Sequence, residues 1–339
     1  MSSSDSSRPD RDALNASRFD HANANGFYES YFQRANHPSE PRAFWIRYTV
    51  FSPRGRPAEA VGQLWAVYFD GASGRHVALK RSVPISECSF SREAGLDVRV
   101  GDARLEEGAL HGTISQHDGR IAWELTYAGD EPPLLLFERA SYQRRFPSAK
   151  ALCGTPLAIF HGSVTVNDAT LPIDGWVGTQ NHNWGSRHTD RYAWGQVAGF
   201  DDDPTAVLEC STAKLKLGPV WTSPLSLLVL RLGDREFACN SVYRALRTRG
   251  AYDYFSWRLD AEQNGTHISA SFDAPKAAFV GLSYENPPGG TKTCLNTKVA
   301  GCRLVVEEPG KAPRRIGTES RAAFEILTDD DSHGVPVLV

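Results

Sequence analysis

The residues best suited to chemistry lie close together, in the 22-residue stretch 175–196 (GWVGTQNHNWGSRHTDRYAWGQ). This stretch holds three Trp, two His, two Asn and two Gln. Amides and imidazoles set among indole rings are typical of a small-molecule site, where a few polar groups converge in an apolar cavity. We therefore expect a hydrophobic small-molecule ligand. The candidate substrate-binding residues in this stretch are Trp176, Gln180, Asn183, Tyr192 and Trp194.

The elements that must position these side chains are predicted to be β-strands. Turn signals separate pairs of β-rich runs, as Asn264-Gly265 does between residues 252–261 and 266–272. The tripeptide 117–119 (HDG) separates another pair in the same way. Repeated hairpins at roughly 8–12-residue spacing predict an all-β sandwich or barrel. Helical periodicity is confined to two short segments, residues 13–24 and 319–326.

The length of 339 residues fits two domains, since a domain typically has about 100–200 residues. Two passages, 43–70 and 191–217, share a pattern of aromatic strand, loop and second strand. We predict a disordered tail over residues 1–20, a first β-barrel over 21–174, and a second over 175–339 that carries the motif QNHNWG.

Composition excludes several classes of partner. The formal net charge of −3 argues against nucleic acid, which favours a basic surface. No run of 18 apolar residues occurs, so no membrane span is predicted, although peripheral contact with a membrane is compatible with the sequence. The first 20 residues lack the apolar segment of a secretory signal, so we expect a cytoplasmic protein whose six cysteines are reduced thiols.

Neither a metal nor a cofactor is predicted. His182 and His188 lie six residues apart with Asp190 nearby, but this set lacks a settled third ligand. The acidic run 201–203 has the composition of a polar turn, with calcium binding as a weak alternative. Glycine-rich phosphate-binding motifs and a nucleophile elbow are absent from the sequence.

The motif QNHNWG at 180–185, followed by His188 and YAW at 192–194, resembles a known family. These are the lipocalin-like proteins grouped with bacterial carotenoid 1,2-hydratase (hydroxyneurosporene synthase) and tocopherol cyclase, and the chain is most similar to their uncharacterised bacterial members. Weaker matches are FYESYF at 27–32 and LECSTAK at 208–214. The resemblance spans residues 25–339 and implies two tandem lipocalin-like antiparallel β-barrels with little helix.

The resemblance also implies a catalytic group of His182, Trp184 and Glu209, and the chemistry fits these residue types. Protonating a C=C bond requires a carboxylic acid whose pKa is raised by burial. An electron-rich ring such as Trp184 tolerates the resulting carbocation, and an imidazole or amide can position the water that captures it. Two residues of the FYESYF segment, Glu29 and Tyr31, are further candidates for the substrate site, and Glu29 is a rival acid.

Each of these residues also has a structural interpretation. His182 could join two strands by hydrogen bonds, and Trp184 could plug one end of a barrel. Strand alternation places Glu209 on the face opposite Leu208, which would make it a solvated surface acid if the Leu208 face is the core. Glu29 could be the buried partner of an arginine.

The leading functional hypothesis is a cofactor-independent enzyme that hydrates, cyclises or isomerises an isoprenoid or polyene-like molecule by acid catalysis. The second is a pericyclase of the Diels–Alderase type, which folds its substrate into a reactive conformation. The third is a lipid or pigment carrier without chemistry. An acid beside an apolar cavity favours the first hypothesis, polar donors without a buried acid favour the second, and carboxylates confined to the outside favour the third.

Overall fold

Antiparallel β-strands form almost all of the regular structure, which confirms the predicted all-β fold class. The computed structural model describes residues 8–93, 95–117 and 119–339. Within these residues the helices are α1 (Arg8–Asn15), α2 (Val242–Arg247) and four 3-10 turns, Pro57–Glu59, Ile85–Glu87, Arg139–Gln143 and Lys276–Ala278. Among them, no helix has the length and apolar character that crossing a membrane requires.

The first large sheet is a nearly closed barrel, called barrel 1. Its strands are β1 (Phe27–Asn36), β2 (Arg42–Ser52), β3 (Val61–Asp70), β4 (Val77–Pro84), β5 (Cys88–Phe90), β6 (Asp97–Val100), β7 (Ala103–Glu106), β8 (Ala109–Gln116), β9 (Gly119–Ala128), β10 (Leu134–Leu135), β11 (Ala149–Val166) and β12 (Ala169–Gly185). They pair in the order β4-β3-β2-β1-β12-β11-β9-β8-β7-β6-β5, with β10 on β11. Across the opening, the Gln116 amide of β8 donates to the Lys80 carbonyl oxygen of β4 at 2.6 Å.

The second large sheet, called barrel 2, follows in the chain. Its strands are β13 (Arg191–Ala198), β14 (Val207–Lys214), β17 (Leu225–Leu232), β18 (Arg235–Cys239), β19 (Arg249–Asp253), β20 (Ser256–Gln263), β21 (Thr266–Asp273), β22 (Val280–Glu285), β23 (Thr291–Glu307) and β24 (Arg314–Thr328), and a separate hairpin contains β15 (Lys216–Leu217) and β16 (Val220–Trp221). The order is β18-β17-β14-β13-β24-β23-β21-β20-β19, with β22 on β23.

Both barrels therefore follow one topological plan. In each barrel the first strand pairs with the last strand: β1 pairs with β12, and β13 pairs with β24. The first and last strands therefore lie near the middle of the sheet order rather than at its edges. The similar passages 43–70 and 191–217 fall at different places in this plan, on β2–β3 and β13–β14 respectively. The two barrels thus share a topology, but the two similar passages do not lie on equivalent strands. The first passage covers the second and third strands of barrel 1, whereas the second passage covers the first and second strands of barrel 2.

The boundary predicted between residues 174 and 175 is wrong, because both residues lie inside β12. That boundary rests on the similarity of passages 43–70 and 191–217, which do not lie on equivalent strands. In the structure Gly175 has a φ of +65° and forms a bulge, opposite the step from Phe160 to His161 in β11, and the strand continues past it. The motif QNHNWG consequently belongs to barrel 1, and the chain passes to barrel 2 over residues 186–190.

The predicted disordered tail is also wrong for residues 8–20, while residues 1–7 lie outside the described part of the chain. Helix α1 and the residues after it pack against barrel 1, where Arg11 donates to the Gly154 oxygen and Leu14 and Phe19 are buried. Because the segment is polar overall, its few buried apolar residues give little signal in the sequence. The helix predicted over 319–326 is instead part of β24.

The hairpins are predicted more successfully than the helices. Asn264 and Gly265 both have positive φ, at 52° and 79°, and join β20 to β21 as a two-residue turn requires. Strands β8 and β9 pair as predicted, although Asp118 of their turn lies outside the described residues.

Two apolar cores meet along the outer face of β1–β3. One fills barrel 1 around Tyr48 and Trp176, and the other fills barrel 2 and extends onto Trp45 and Trp65 of barrel 1. Polar groups are buried in the same contact, since the Arg34 side chain donates to Gln196 of β13 at 3.0 Å. The two barrels thus share an interface in which polar side chains are enclosed by aromatic ones.

Candidate functional site

A cavity of about 110 Å³ lies between the barrels, where β11 and β12 approach β13 and β14. Its aromatic lining comprises Tyr28, Phe32, Phe137, Tyr192, Trp194 and Tyr284. Its polar lining comprises Arg47, Lys150, Asn181, His182, Asn183, His188, Thr189, Glu209, Ser211 and Glu325. An aromatic enclosure with a few polar groups is the usual make-up of a small-molecule site. We call it the inter-barrel cavity.

Strand alternation in β12 decides which motif residues can reach this cavity. Asn181 and Asn183 project toward barrel 2, where the Asn181 oxygen accepts a 2.8 Å hydrogen bond from Gln196. The side chains of Gln180 and His182 project to the opposite face, where they bond with Asn15, Leu14 and Glu29 of the N-terminal region and β1. Successive residues of the motif therefore serve two different environments.

Glu209 is the acid of the inter-barrel cavity. It lies on β14 opposite Gln196 and is only 1% exposed. Trp194 donates from Nε1 to Glu209 Oε1 at 3.0 Å, and Oε2 has no hydrogen-bond partner among the described residues. Burial raises the pKa of the Glu209 carboxyl from its ordinary value of 4.5 to about 7, against the opposing effect of Trp194.

The surface interpretation of Glu209 is thus wrong, for a definable reason. Alternation correctly separates Glu209 from Leu208, and Leu208 does face the core of barrel 2. The other face of β14 is covered as well, because barrel 1 packs against it. Both faces of the strand are buried there, a case that alternation alone does not distinguish from a half-exposed strand.

Three buried polar atoms from cavity-lining residues lack a partner among the described residues. They are Glu209 Oε2, Asn183 Oδ1 and Arg47 Nε. An unpartnered buried polar atom costs about 1–3 kcal/mol, so their occurrence around a single cavity indicates a site shaped for polar atoms of a ligand.

His182 borders the cavity, but its ring is fully engaged elsewhere. Nδ1 lies 3.0 Å from the Leu14 oxygen and Nε2 lies 2.9 Å from Glu29 Oε1. Glu29 also accepts hydrogen bonds from Ser17 Oγ and from the main-chain N–H groups of Arg18 and Phe19. This arrangement anchors the N-terminal segment inside the end of barrel 1.

Glu29 is therefore held as a carboxylate rather than as an acid. Burial by itself raises its pKa, but the hydrogen bonds from His182, Ser17 and Arg18 outweigh burial, and the pKa lies below its ordinary value. Its buried partner is a histidine with main-chain amides, where the sequence analysis proposed an arginine.

Trp184 belongs to the same end of barrel 1. It is 6% exposed, packs with Leu14 and Phe19, and carries the Arg18 guanidinium 4.1 Å above its ring. These contacts match the alternative interpretation of Trp184 as a barrel plug. His182 and Trp184 thus find their partners in barrel 1 and the N-terminal segment, whereas Glu209 finds its partner in barrel 2.

Of the predicted substrate-binding residues, Asn183, Tyr192 and Trp194 line the inter-barrel cavity. Gln180, Tyr31 and Trp176 do not line it. Gln180 accepts from Asn15, Tyr31 stacks on His182 at 4.1 Å, and Trp176 packs on Phe44 in the core of barrel 1. Each of the three faces the inside of barrel 1, as strand alternation requires.

A second wall of the cavity is formed by Tyr28, Arg47, His188 and Tyr284, none of which was predicted as a site residue. The His188 ring lies 4.1 Å from that of Tyr28, and its Nε2 lies 3.1 Å from the Glu285 oxygen. Burial, and secondarily the Arg47 charge, lowers the pKa of His188 to about 3, so its imidazole is neutral. The sequence contains one indication of this wall, because the charged residue Arg47 interrupts the aromatic and β-branched run 44–51.

Curated proteins of similar sequence match part of this chain. No family model matches the sequence. Uncharacterized proteins from two strains of Mycobacterium tuberculosis are each 29% identical over 185 residues, which is 54% of this chain. The match spans 55% of their own length, so the chain covers about half of these curated relatives.

Three solved structures share the architecture. Kievitone hydratase from Nectria haematococca has a TM-score of 0.58 at 14% identity, covering 90% of this chain and 89% of that chain. A candidate AttH from Nitrosomonas europaea has a TM-score of 0.57 at 13% identity, covering 92% and 97%. CghA, solved with Sch210972, has a TM-score of 0.55 at 13% identity, covering 90% and 89%. The chain therefore has the lipocalin-like double-barrel fold, and its resemblance to a carotenoid hydratase in particular stays a prediction.

Proposed function

We propose that this chain is a cofactor-independent enzyme that protonates a C=C bond of a hydrophobic small molecule in the inter-barrel cavity and thereby hydrates or cyclises it. The observation that carries this proposal is the state of Glu209. It is a buried carboxyl with a pKa near neutrality and one unpartnered oxygen, in a cavity walled by aromatic rings. A general acid is most effective when its pKa lies near the working pH.

In this proposal one oxygen of Glu209 carries the transferred proton. Because Trp194 donates to Oε1, we place the acidic proton on Oε2, which has no hydrogen-bond partner among the described residues. Transfer of this proton to an alkene carbon forms a C–H bond, consumes the π pair and leaves a carbocation on the neighbouring carbon. The rings of Trp194 and Tyr192, together with the new carboxylate of Glu209, stabilise that charge.

Capture of the cation completes the reaction. In hydration, a water oxygen attacks the cation and releases a proton to the Glu209 carboxylate, which restores the acid. In cyclisation, a second nucleophile of the substrate takes the place of water. The Asn183 oxygen, which has no partner among the described residues, supplies an acceptor that orients the attacking O–H group, a role predicted for either Asn183 or His182.

The cavity also limits what reacts there. At about 110 Å³ it is smaller than the roughly 300–1,000 Å³ of pockets that enclose a whole drug-sized ligand. It therefore holds the reacting segment of a molecule. The likeness to a protein named as a hydratase supports this class of reaction, and the position of Glu209 beside the cavity disfavours a carrier whose carboxylates all lie outside.

The decisive experiment compares Glu209→Gln with wild type. Compounds that copurify with the protein are identified by mass spectrometry, and each is incubated with protein in D2O. Wild type is expected to release a product with one carbon-bound deuterium, whereas Glu209→Gln binds the compound, measured by tryptophan fluorescence, without forming product. Glu262→Gln, an exposed glutamate of β20, is the matched control and retains turnover. Full deuterium incorporation by Glu209→Gln would remove this acid from the mechanism.

A further inference from the structure

The second wall of the inter-barrel cavity contains a buried cation that forms no ion pair with a carboxylate in the described part of the chain. Arg47 of β2 is 4% exposed and lines the cavity. Its Nη2 donates to Ser30 Oγ at 2.6 Å, and its Nε has no partner among the described residues. Within the same residues, no Asp or Glu oxygen lies within 4.0 Å of a nitrogen of this guanidinium.

The neighbours of Arg47 do not neutralise it. Its guanidinium lies over the Tyr284 ring at 4.7 Å and near the Trp45 and Trp65 rings at 5.9 and 5.8 Å. His188 is neutral, as described above. Two nearby acids are engaged elsewhere. Glu285 Oε2 accepts from Gln63 at 2.8 Å and lies 3.4 Å from Lys80, and Glu325, which also lines the cavity, accepts from Lys298 at 2.7 Å.

A buried, unpaired charge is expensive, and proteins keep one where a partner arrives from outside. The aromatic rings beside Arg47 supply cation–π attraction, which is weaker than the cost of burying a bare charge. The planar guanidinium also offers N–H groups in a fixed fork that matches the oxygens of a carboxylate.

Aromatic side chains lie between Arg47 and Glu209, the two polar ends of the cavity. Phe32 is the cross-strand neighbour of Arg47, and its ring meets that of Trp194 edge-on at 6.0 Å. Trp194 in turn bonds Glu209. An apolar floor of Phe32 and Trp194 thus separates the cation of barrel 1 from the acid of barrel 2.

We infer that Arg47 binds an anionic oxygen of the substrate, in the simplest case a carboxylate, while the C=C bond lies over Phe32 and Trp194 beside Glu209. This inference rests on the proposed function and narrows its substrate class to unsaturated apolar acids. The substrate then bridges the barrels, since each barrel supplies one of the two groups that hold or act on it. Arg47 is a substrate-binding residue in this scheme.

A matched pair of probes tests the inference by affinity alone. Trans-cinnamate and cinnamyl alcohol share a phenyl ring and a C=C bond and differ in the anionic group. Wild type is expected to bind cinnamate at least tenfold more tightly than the alcohol, measured by calorimetry. Arg47→Met should lose at least tenfold in affinity for cinnamate and less than threefold for the alcohol, since a hydrogen bond to a charged group contributes about 1.5–3 kcal/mol.

Two further variants make the result specific. Arg47→Lys retains the charge without the fork and is expected to recover part of the affinity for cinnamate. Arg99→Met, at an exposed position of β6, is the matched control and should bind both probes as wild type does. Equal affinity of wild type for the two probes, equal losses in Arg47→Met, or no binding of either probe up to about 1 mM would overturn the inference.

The anion site at Arg47 and the acid mechanism at Glu209 can fail independently of each other. Glu209→Gln is expected to keep the preference for cinnamate, because it leaves Arg47 intact. A preference for cinnamate combined with unimpaired turnover in Glu209→Gln would refute the acid mechanism and leave the anion site standing. Loss of turnover in Glu209→Gln without any preference for cinnamate would refute the anion site alone.

Discussion

The indole N–H of Trp194 donates to one carboxyl oxygen of Glu209 at 3.0 Å, and the other oxygen of Glu209 has no partner among the described residues. The two residues lie on neighbouring strands of barrel 2, at the contact with barrel 1. This bond fixes the orientation of the Glu209 carboxyl, and Glu209 lines the inter-barrel cavity. Most of the chemistry proposed above depends on that orientation.

The first prediction concerns the pH dependence of turnover. The acid form of Glu209 is required, and its pKa is about 7, so kcat should be constant well below pH 7 and fall tenfold per pH unit above it. Trp194→Phe removes a hydrogen bond that lowers this pKa, so the fall should move to higher pH. A pH–kcat profile of both proteins tests this, and a profile that rises with pH would contradict it.

The second prediction concerns stability. The folded protein holds a proton on Glu209 between its ordinary pKa of 4.5 and about 7, where the unfolded chain does not. Stability contributed by this group is therefore lost as pH rises from about 4.5 to 7, by up to roughly 3 kcal/mol at 1.36 kcal/mol per unit. Glu209→Gln removes this loss. Urea unfolding at pH 5 and pH 8 should show the variant gaining stability relative to wild type at the higher pH.

The third prediction separates two amides of the motif. Asn183→Leu removes a free acceptor of the cavity, so formation of a hydrated product should fall by about 10²-fold, as expected for a group that positions a reacting proton. Asn181→Leu breaks the bond with Gln196 and should instead lower the free energy of unfolding by about 1–3 kcal/mol. Product analysis and chemical denaturation of both variants test the division, and an Asn183→Leu variant with normal product formation would refute it.

The fourth prediction concerns Glu29. Glu29→Gln replaces a carboxylate that accepts bonds from Ser17, Arg18, Phe19 and His182, so it should cost about 3–5 kcal/mol and release the segment around residues 8–20 to proteolysis. Since the pKa of Glu29 is lowered in the folded state, its contribution to stability should also be lost as the solution becomes acidic.

Limited proteolysis and urea unfolding measure these effects of Glu29→Gln, with Glu262→Gln as the exposed control. Loss of turnover in Glu29→Gln without any change in stability would instead make Glu29 the catalytic acid.

Much of the fold could be predicted because the signals are local. Asn264 and Gly265 form a two-residue turn since both tolerate positive φ, and the strands beside them alternate as a barrel requires. The domain boundary was misplaced because the similar passages 43–70 and 191–217 lie on non-equivalent strands of the two barrels. Residues 8–20 misled it because a few buried contacts, such as those of Leu14 and Phe19, outweigh a polar composition.

By itself the sequence determined the all-β class, most of the hairpins and the concentration of Trp, His and amide residues over 175–196. Alternation also established which residues of β12 and β14 share a face. Only the tertiary structure decided what covers each face, because the partners come from distant parts of the chain. His182 meets Glu29 and the N-terminal segment, whereas Glu209 meets Trp194 and the cavity, and barrel 1 must pack on barrel 2 before that carboxyl is buried and its pKa approaches neutrality.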